Sequence, residues 1–309
     1  MARDPKRVLV PVDGSERSFQ AVRYLGDVLP PERIAVTLFH VFDPVPECYW
    51  DLEHQAGRMD AVRELRFWET EKKKKIESFM ENARSFLSAR GVSAASIEIN
   101  VQDRREGIAR DILKEMDAGY DAVALARHGF GFLDSFVMGS VVSKLLSKIS
   151  LAPVILVGDV PPGKKMLLAA DGSSASERVA AVAGGFLAGS DHEVVLFHVV
   201  RGFDAAVPEY PDAVISPDRF EAAREQMGAV FARIKNILRQ AGMEPKRISE
   251  KIVTGEFSRA GAILREAADS GCNAIAVGRR GISKVEAFFM GRVSNKVIHG
   301  GKNHAVWVI

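Results

Sequence analysis

Two tandem doubly wound α/β domains, each on a five-stranded parallel sheet, are the architecture this sequence predicts. Three observations predict it. The chain has 309 residues, long for one domain and right for two of about 150 each. It writes several stretches twice. Short apolar runs rich in β-branched residues also alternate throughout with longer amphipathic ones.

The repeat is the strongest of the three. VLVPVDGSERS (Val8–Ser18) matches LLAADGSSAS (Leu167–Ser176), which sets Asp13 against Asp171. TLFHVF (Thr37–Phe42) matches VLFHVV (Val195–Val200), which sets His40 on His198 at the same offset of 158 residues. Later, ARHGFGFLDSFVMGSVVSKL (Ala126–Leu145) matches GRRGISKVEAFFMGRVSNKV (Gly278–Val297), now at an offset of 152. A period this long means whole duplicated domains rather than a solenoid. Residues 1–158 form the first, 163–309 the second, and the turn-forming stretch at 159–162 links them.

The elements follow in order. Strand candidates in the first copy are Val8–Val12, Ala35–Val41, Ile97–Val101, Ala122–Ala126 and Val154–Val157. In the second they are Met166–Ala170, Val194–Val200, Ile248–Val253, Ala274–Val277 and Ala305–Ile309. These runs barely alternate in polarity, as parallel strands covered on both faces should. Between them, Leu65, Trp68, Ile76, Phe79, Ala83 and Phe86 recur at helical spacing, as do Phe220, Ala223, Met227, Val230, Phe231, Ile234 and Leu238. Val142, Leu145, Leu146 and Ile149 form a further helical stripe. The last strands, Val154–Val157 and Ala305–Ile309, each lack a sequence-local partner on one edge and are expected to pair antiparallel within the chain.

Composition excludes several classes. Formal net charge is +2, with −1 over residues 1–158 and +3 over 159–309, so neither half is a basic nucleic-acid binder. The run Lys72–Lys75 reads as a solvated helix face. Cys48 and Cys272 stand alone, one per half, which suits a reducing cytoplasmic setting and offers no zinc site. The N-terminal MARDPKRVLVPVDGS has no signal-peptide core, and no apolar stretch is long enough for a membrane span.

The second copy spells G-x-x-G-x9-G with Gly278, Gly281 and Gly291, beginning at the end of a buried strand and closing at a helix start near Arg292. Glycines there permit positive φ and close ligand approach, and a helix N-terminus is a ready phosphate cradle. In a doubly wound sheet, ligands sit beyond the carboxyl ends of the strands at the topological switch. Asp13 and Asp171 end the first strand of their copies, where a carboxylate suits a ribose hydroxyl or an adenine edge; as helix caps they would have a purely structural role. Ser15 and Ser173 offer themselves as caps instead. His40 and His198 lack a matched nucleophile and read as structural. Arg127, His128, Arg279 and Arg280 lie between the glycines, as phosphate contacts or as exposed loop residues. Phe132, Phe136, Phe288 and Phe289 read as packing or interface groups.

On the PVDGSERS start, the HV after strand two and the glycine stretch ending GSVVS, the sequence resembles the universal stress protein family across both halves. The resemblance implies a Rossmann-like sheet of order 3-2-1-4-5 in each half, with ATP or AMP between strands one and four, magnesium accompanying the phosphates. It also implies pairing through fifth strands. The first copy carries Ala126 for the first glycine, then Gly129, Gly139 and Ser140; the second keeps all three glycines but has Arg292 where the pattern has a hydroxyl. The cationic set Arg279, Arg280 and Arg292 ranks the second site, with Asp171, narrowly ahead. The expected function is an adenine-nucleotide sensor, homodimeric, signalling to an unidentified protein partner. The alternatives are a nucleotide-free dimerisation protein and a weak ATPase. No phosphoryl-transfer or nucleophile-elbow motif is present.

Overall fold

The computed structural model describes residues 4–44, 59–127, 139–148, 152–200, 216–279 and 290–309. The first half runs β1 (Lys6–Pro11), α1 (Glu16–Val28), β2 (Ile34–Phe42), α2 (Met59–Ala89), β3 (Ile97–Asp103), α3 (Ile108–Met116), β4 (Ala122–Ala126), α4 (Ser140–Lys148) and β5 (Val154–Val157). The second runs β6 (Lys165–Ala169), α5 (Ser174–Leu187), β7 (Glu193–Val199), α6 (Pro217–Ala241), β8 (Ile248–Val253), α7 (Arg259–Asp269), β9 (Ala274–Val277), α8 (Arg292–Gly300) and β10 (Ala305–Val308). All ten expected strands occur, their ends within two residues of the sequence reading.

They form one continuous sheet, ordered β3-β2-β1-β4-β5-β10-β9-β6-β7-β8. Within each half the order is 3-2-1-4-5 and the pairings are parallel. The halves join where β5 meets β10 antiparallel, Val154 opposite Val308 and Val157 opposite Ala305. The paired last strands expected from the sequence are therefore observed. Each covers the exposed edge of the other, which would otherwise template aggregation.

Helices cover both faces of the sheet, giving two apolar layers. One layer packs α1, α2, α5 and α6 against residues such as Val8, Val10, Leu168 and Leu196. The other packs α3, α4, α7 and α8 against Leu9, Val123, Leu167 and Ile275. Consecutive strand residues face opposite layers, so the central strands are largely apolar in both directions, Thr37 and His40 of β2 being buried polar residues, and this is why the runs barely alternate. In α6 the expected stripe is the buried one, with Met227, Val230, Phe231, Ile234 and Leu238 inside. In α2 it is shifted: Ile76, Met80, Ala83 and Leu87 are buried, while Trp68 is 53% exposed. Phe79 and Phe86 instead flank that stripe, each meeting Phe19 edge-on. Lys72 is not simply solvated, since its ammonium donates to the Asp43 carbonyl at 3.0 Å and lies over the Phe42 ring.

The joint is tightly built. Trp307 pairs directly with Ile155, its own counterpart in the repeat, so the pseudo-two-fold axis passes between them. The buried indole donates Nε1–H to the Tyr24 hydroxyl in α1 at 2.9 Å and meets the Phe186 ring of α5 edge-on. A second bulky ring at position 155 would have to share this space, so the duplicated chain has one large and one smaller residue at the axis. Buried Arg33 reaches across to the Gly185 carbonyl of α5 at 2.7 Å. The expected linker is strapped down: the Asp159 amide donates to the Lys302 carbonyl at 2.9 Å, and Gln20 holds the Asp159 carboxylate.

Candidate functional site

At the end of each first strand the two halves build the same turn. The Val12 amide donates to the Phe39 carbonyl at 2.8 Å, and the Ala170 amide to the Phe197 carbonyl at 2.9 Å. The His40 Nδ1–H donates to the Val12 carbonyl at 2.8 Å, and the His198 Nδ1–H to the Ala170 carbonyl at 2.7 Å. Burial pushes both imidazoles below their ordinary pKa, so they sit neutral beneath the turn. The histidines are clamps that fix the carbonyl preceding each aspartate.

Beyond the clamp the chain must reverse into a helix. It does so at Gly14 (φ +81°) and Gly172 (φ +83°), a left-handed conformation that glycine adopts without a Cβ penalty. Positive φ was expected in the glycine-rich stretch, but Gly291, its third glycine, has φ −58° and is an ordinary helix N-cap. The Asp13 carboxylate accepts at one oxygen from the Ser15 amide (2.9 Å) and hydroxyl (2.5 Å). Asp171 accepts from the Ser173 amide (3.0 Å) and hydroxyl (2.6 Å) and from the Ser176 hydroxyl (3.2 Å). The aspartates are thus oriented by an Asx-type turn. Ser15 takes the cap role, accepting from the Ser18 amide at 3.1 Å. Ser173 makes no such cap bond.

In the first half this turn opens onto a cleft lined by Pro11, Asp13 and Ser18 on one side and Leu125 and Ala126 at the end of β4. Gly139, Val141 and Val142 at the start of α4 close it, with Ile112 of α3 beneath. The cleft lies between the carboxyl ends of β1 and β4, which are sheet neighbours that lead to opposite sides of the switch. Asp13, Ala126 and Gly139 are therefore brought together, with Ser140 as the first residue of α4. The helix starts with the Ser143 amide on the Gly139 carbonyl at 2.9 Å, so the amides before Ser143 have no intrahelical acceptor and are the donors an anion would use. Ser18, missed by the sequence reading, is buried beside Asp13; its recurrence as Ser176 in the second copy was the available signal.

In the second half, Gly278 follows β9 directly and Gly291 caps α8, whose first residue, Arg292, is exposed. Two bonds tie these pieces together: the Gly291 amide donates to the Arg279 carbonyl at 2.9 Å, and the Ser294 hydroxyl to the Gly278 carbonyl at 2.6 Å. Gly129, Gly281, Arg280 and His128, the four spacer phenylalanines, Ile149 and Cys48 lie outside the described residues.

Arg127 and Arg279 follow a course that neither sequence reading foresaw. Arg127 is buried, and its guanidinium donates to the Ile298 carbonyl and, at 2.8 Å, to the Gly301 carbonyl, both at the carboxyl end of α8 in the other half. Burial brings its pKa down to about 10. Arg279 donates to the Leu146 carbonyl in the last turn of α4 at 2.9 Å, again across the joint. A cation at a helix carboxyl terminus is favourable in both places.

Among the described residues, no cluster of His, Cys, Asp or Glu could hold a metal ion alone, and no helix is long and apolar enough to cross a membrane. Buried Cys272 has its thiol pushed up to about 11 by burial, an inert setting.

The fold and the cleft define a class: a duplicated α/β protein with a small opening at the switch between strands one and four of its first half. The family model of the universal stress protein family matches the chain twice, over residues 5–158 and 163–308. The chain belongs to that family, as a tandem member. A universal stress protein from Archaeoglobus fulgidus DSM 4304 has a similar structure, with 19% identity, TM-score 0.61, and 98% of this chain and 97% of that one covered. A protein of unknown function from Pseudomonas aeruginosa PAO1 is also similar, at 12% identity and TM-score 0.54, with 99% and 92% covered. No match was found among curated protein sequences.

Proposed function

We propose that this chain is an adenine-nucleotide-binding module, taking ATP or AMP at the switch between strands one and four and passing the occupied state to a protein partner. The observation that carries the reading is the cleft itself, where the oriented Asp13 carboxylate faces Gly139 and the amide end of α4. A carboxylate suits a ribose hydroxyl or adenine edge, and a helix N-terminus suits phosphate. Magnesium would arrive with the phosphates.

We place the nucleotide first at Asp13, in the cleft lined by Asp13, Ala126 and Gly139, while the extra glycine and the cations of the second half keep Asp171 as a second site. Asp171, Gly278, Gly291 and Arg292 remain the residues of a second site, with Gly281 and Arg280 between them. One observation favours the nucleotide-free alternative: the Ala126 side chain lines the cleft where the second half has glycine. In that reading the protein is an interaction platform. Self-association to a homodimer would use surfaces other than β5 and β10, which already satisfy each other.

Denaturing the purified protein and identifying released small molecules by mass spectrometry tests the reading. A near-stoichiometric adenine nucleotide supports it. Absence of nucleotide, with no uptake from millimolar ATP, favours the platform.

A further inference from the structure

We propose that Arg127 and Arg279 form a crossed relay, through which each half's ligand loop holds the phosphate-cradle helix of the other half. The proposal rests on the nucleotide reading for the identity of the ligand, but its mechanical part stands on the contacts alone.

Arg127 directly follows the last residue of β4, Ala126, and Arg279 comes two residues after the end of β9, behind Gly278. The main chain of each is pinned to its own half. The Arg127 amide donates to the Val157 carbonyl at 2.8 Å, and the Arg279 amide to the Ile309 carbonyl at 2.5 Å. The guanidinium of each crosses the joint, Arg127 to the end of α8 and Arg279 to the end of α4. Those two helices are the ones whose opposite ends form the cradles, at Gly139 and at Gly291.

Arg279 completes a circuit within a single residue. Its carbonyl accepts from the Gly291 amide at the start of α8, while its guanidinium grips the end of α4. A shift of the second cradle therefore pulls on α4, a helix of nine residues and about 13 Å. In this relay the short helix, packed on the sheet through Val142, Leu145 and Leu146, would shift as one piece. Arg127 supplies the reciprocal path through α8. The arginines recur at equal positions in the two copies although their neighbours differ, Ala126 against Gly278 and His128 against Arg280. The relay makes the two clefts energetically coupled, and coupling between sites is reciprocal.

The test reads one cleft while changing the relay in the other half. In the full chain carrying Asp171→Ala, calorimetric titration of ATP reports the first cleft. Adding Arg279→Gln should weaken that binding by about five-fold or more. Arg279→Lys, which keeps a cation and a donor, should recover part of it. Arg279 is chosen because it is only half buried, so its variants are expected to fold. Binding unchanged within two-fold overturns the relay. If ATP binds none of the chains, wild type included, the nucleotide reading fails and residue-resolved amide exchange decides the relay. Arg279→Gln should then speed exchange at the Ser143 amide, in the first turn of α4, by about five-fold. Acceleration confined to the last turn, beside Leu146, would show an ordinary helix cap and overturn the proposal.

Discussion

Replacing Tyr24 by Phe removes one oxygen atom, yet it should destabilise both halves together. The Tyr24 hydroxyl accepts the Trp307 indole N–H at 2.9 Å, and the indole is fully buried between β10, α1 and α5. Burial, opposed only in part by the Trp307 bond, holds the Tyr24 phenol well above its ordinary pKa, so it stays protonated through any working pH. Without the oxygen, the N–H is left unpaired in an apolar layer, which costs about 1–3 kcal/mol. At about 2.1 cal/mol/K of unfolding entropy per residue, that loss lowers Tm by roughly 2–5 °C for a unit of this length. Urea unfolding followed by far-ultraviolet circular dichroism and by tryptophan fluorescence gives the free energy. Because donor and acceptor belong to different halves, both probes should move together. In a Trp307→Phe background, Tyr24→Phe should cost less by about 0.5 kcal/mol or more, the signature of a shared interaction. A loss below about 0.5 kcal/mol in the wild-type background, or an equal loss in both, would refute the reasoning.

Two further predictions concern the joint and the response to acid. Gly158→Ala places a Cβ 1.9 Å from the Lys302 carbonyl oxygen, a main-chain atom that no rotamer change can move. A loss on the order of 3 kcal/mol is expected by thermal denaturation, whereas Gly228→Ala, in open space within α6, should be neutral or stabilising. Buried His192 has its pKa brought down to about 4, first by burial and then by Lys164. The unfolded chain therefore binds this proton more readily than the fold does. Stability should be intact above about pH 6.5 and fall on the order of 3 kcal/mol as pH drops from there towards 4. His192→Leu should flatten that part of a stability–pH profile, and an unchanged slope would count against the assignment.

The fold was legible because duplication and burial both leave marks in the order of residues. A strand covered on two faces has nowhere to put a polar residue, so Val8–Val12 and Ala274–Val277 declare themselves. Fifth-strand pairing was legible from the unprotected edges of Val154–Val157 and Ala305–Ile309. The shifted stripe in α2 was not, because Phe79 and Phe86 are as apolar as Met80 and Leu87, and only the neighbour Phe19 decides which ones flank. The site was half legible. Asp13 lies far in sequence from Ala126 and Gly139, and its place at the end of the first strand of a doubly wound sheet, together with the glycine spacing, points to one cleft. The roles of Arg127 and Arg279 were hidden because their acceptors are main-chain carbonyls of the other half, which carry no residue-specific signal. The positive φ at Gly14 and Gly172 was hidden for a similar reason: each follows an aspartate and precedes a serine in a stretch that reads like a helix cap, and only the backbone angles show that glycine is required there.

Calorimetric titration of ATP into the wild-type chain, Asp13→Ala and Asp171→Ala tests the proposed nucleotide site at Asp13. Binding to the wild type should be saturable, and lost or weakened by about ten-fold or more in Asp13→Ala, since a ligand hydrogen bond to a charged group contributes about 1.5–3 kcal/mol. Asp171→Ala should keep most of that binding. Heat of binding that survives Asp13→Ala unchanged, or a wild-type chain that takes up no ATP at millimolar concentration, would contradict it.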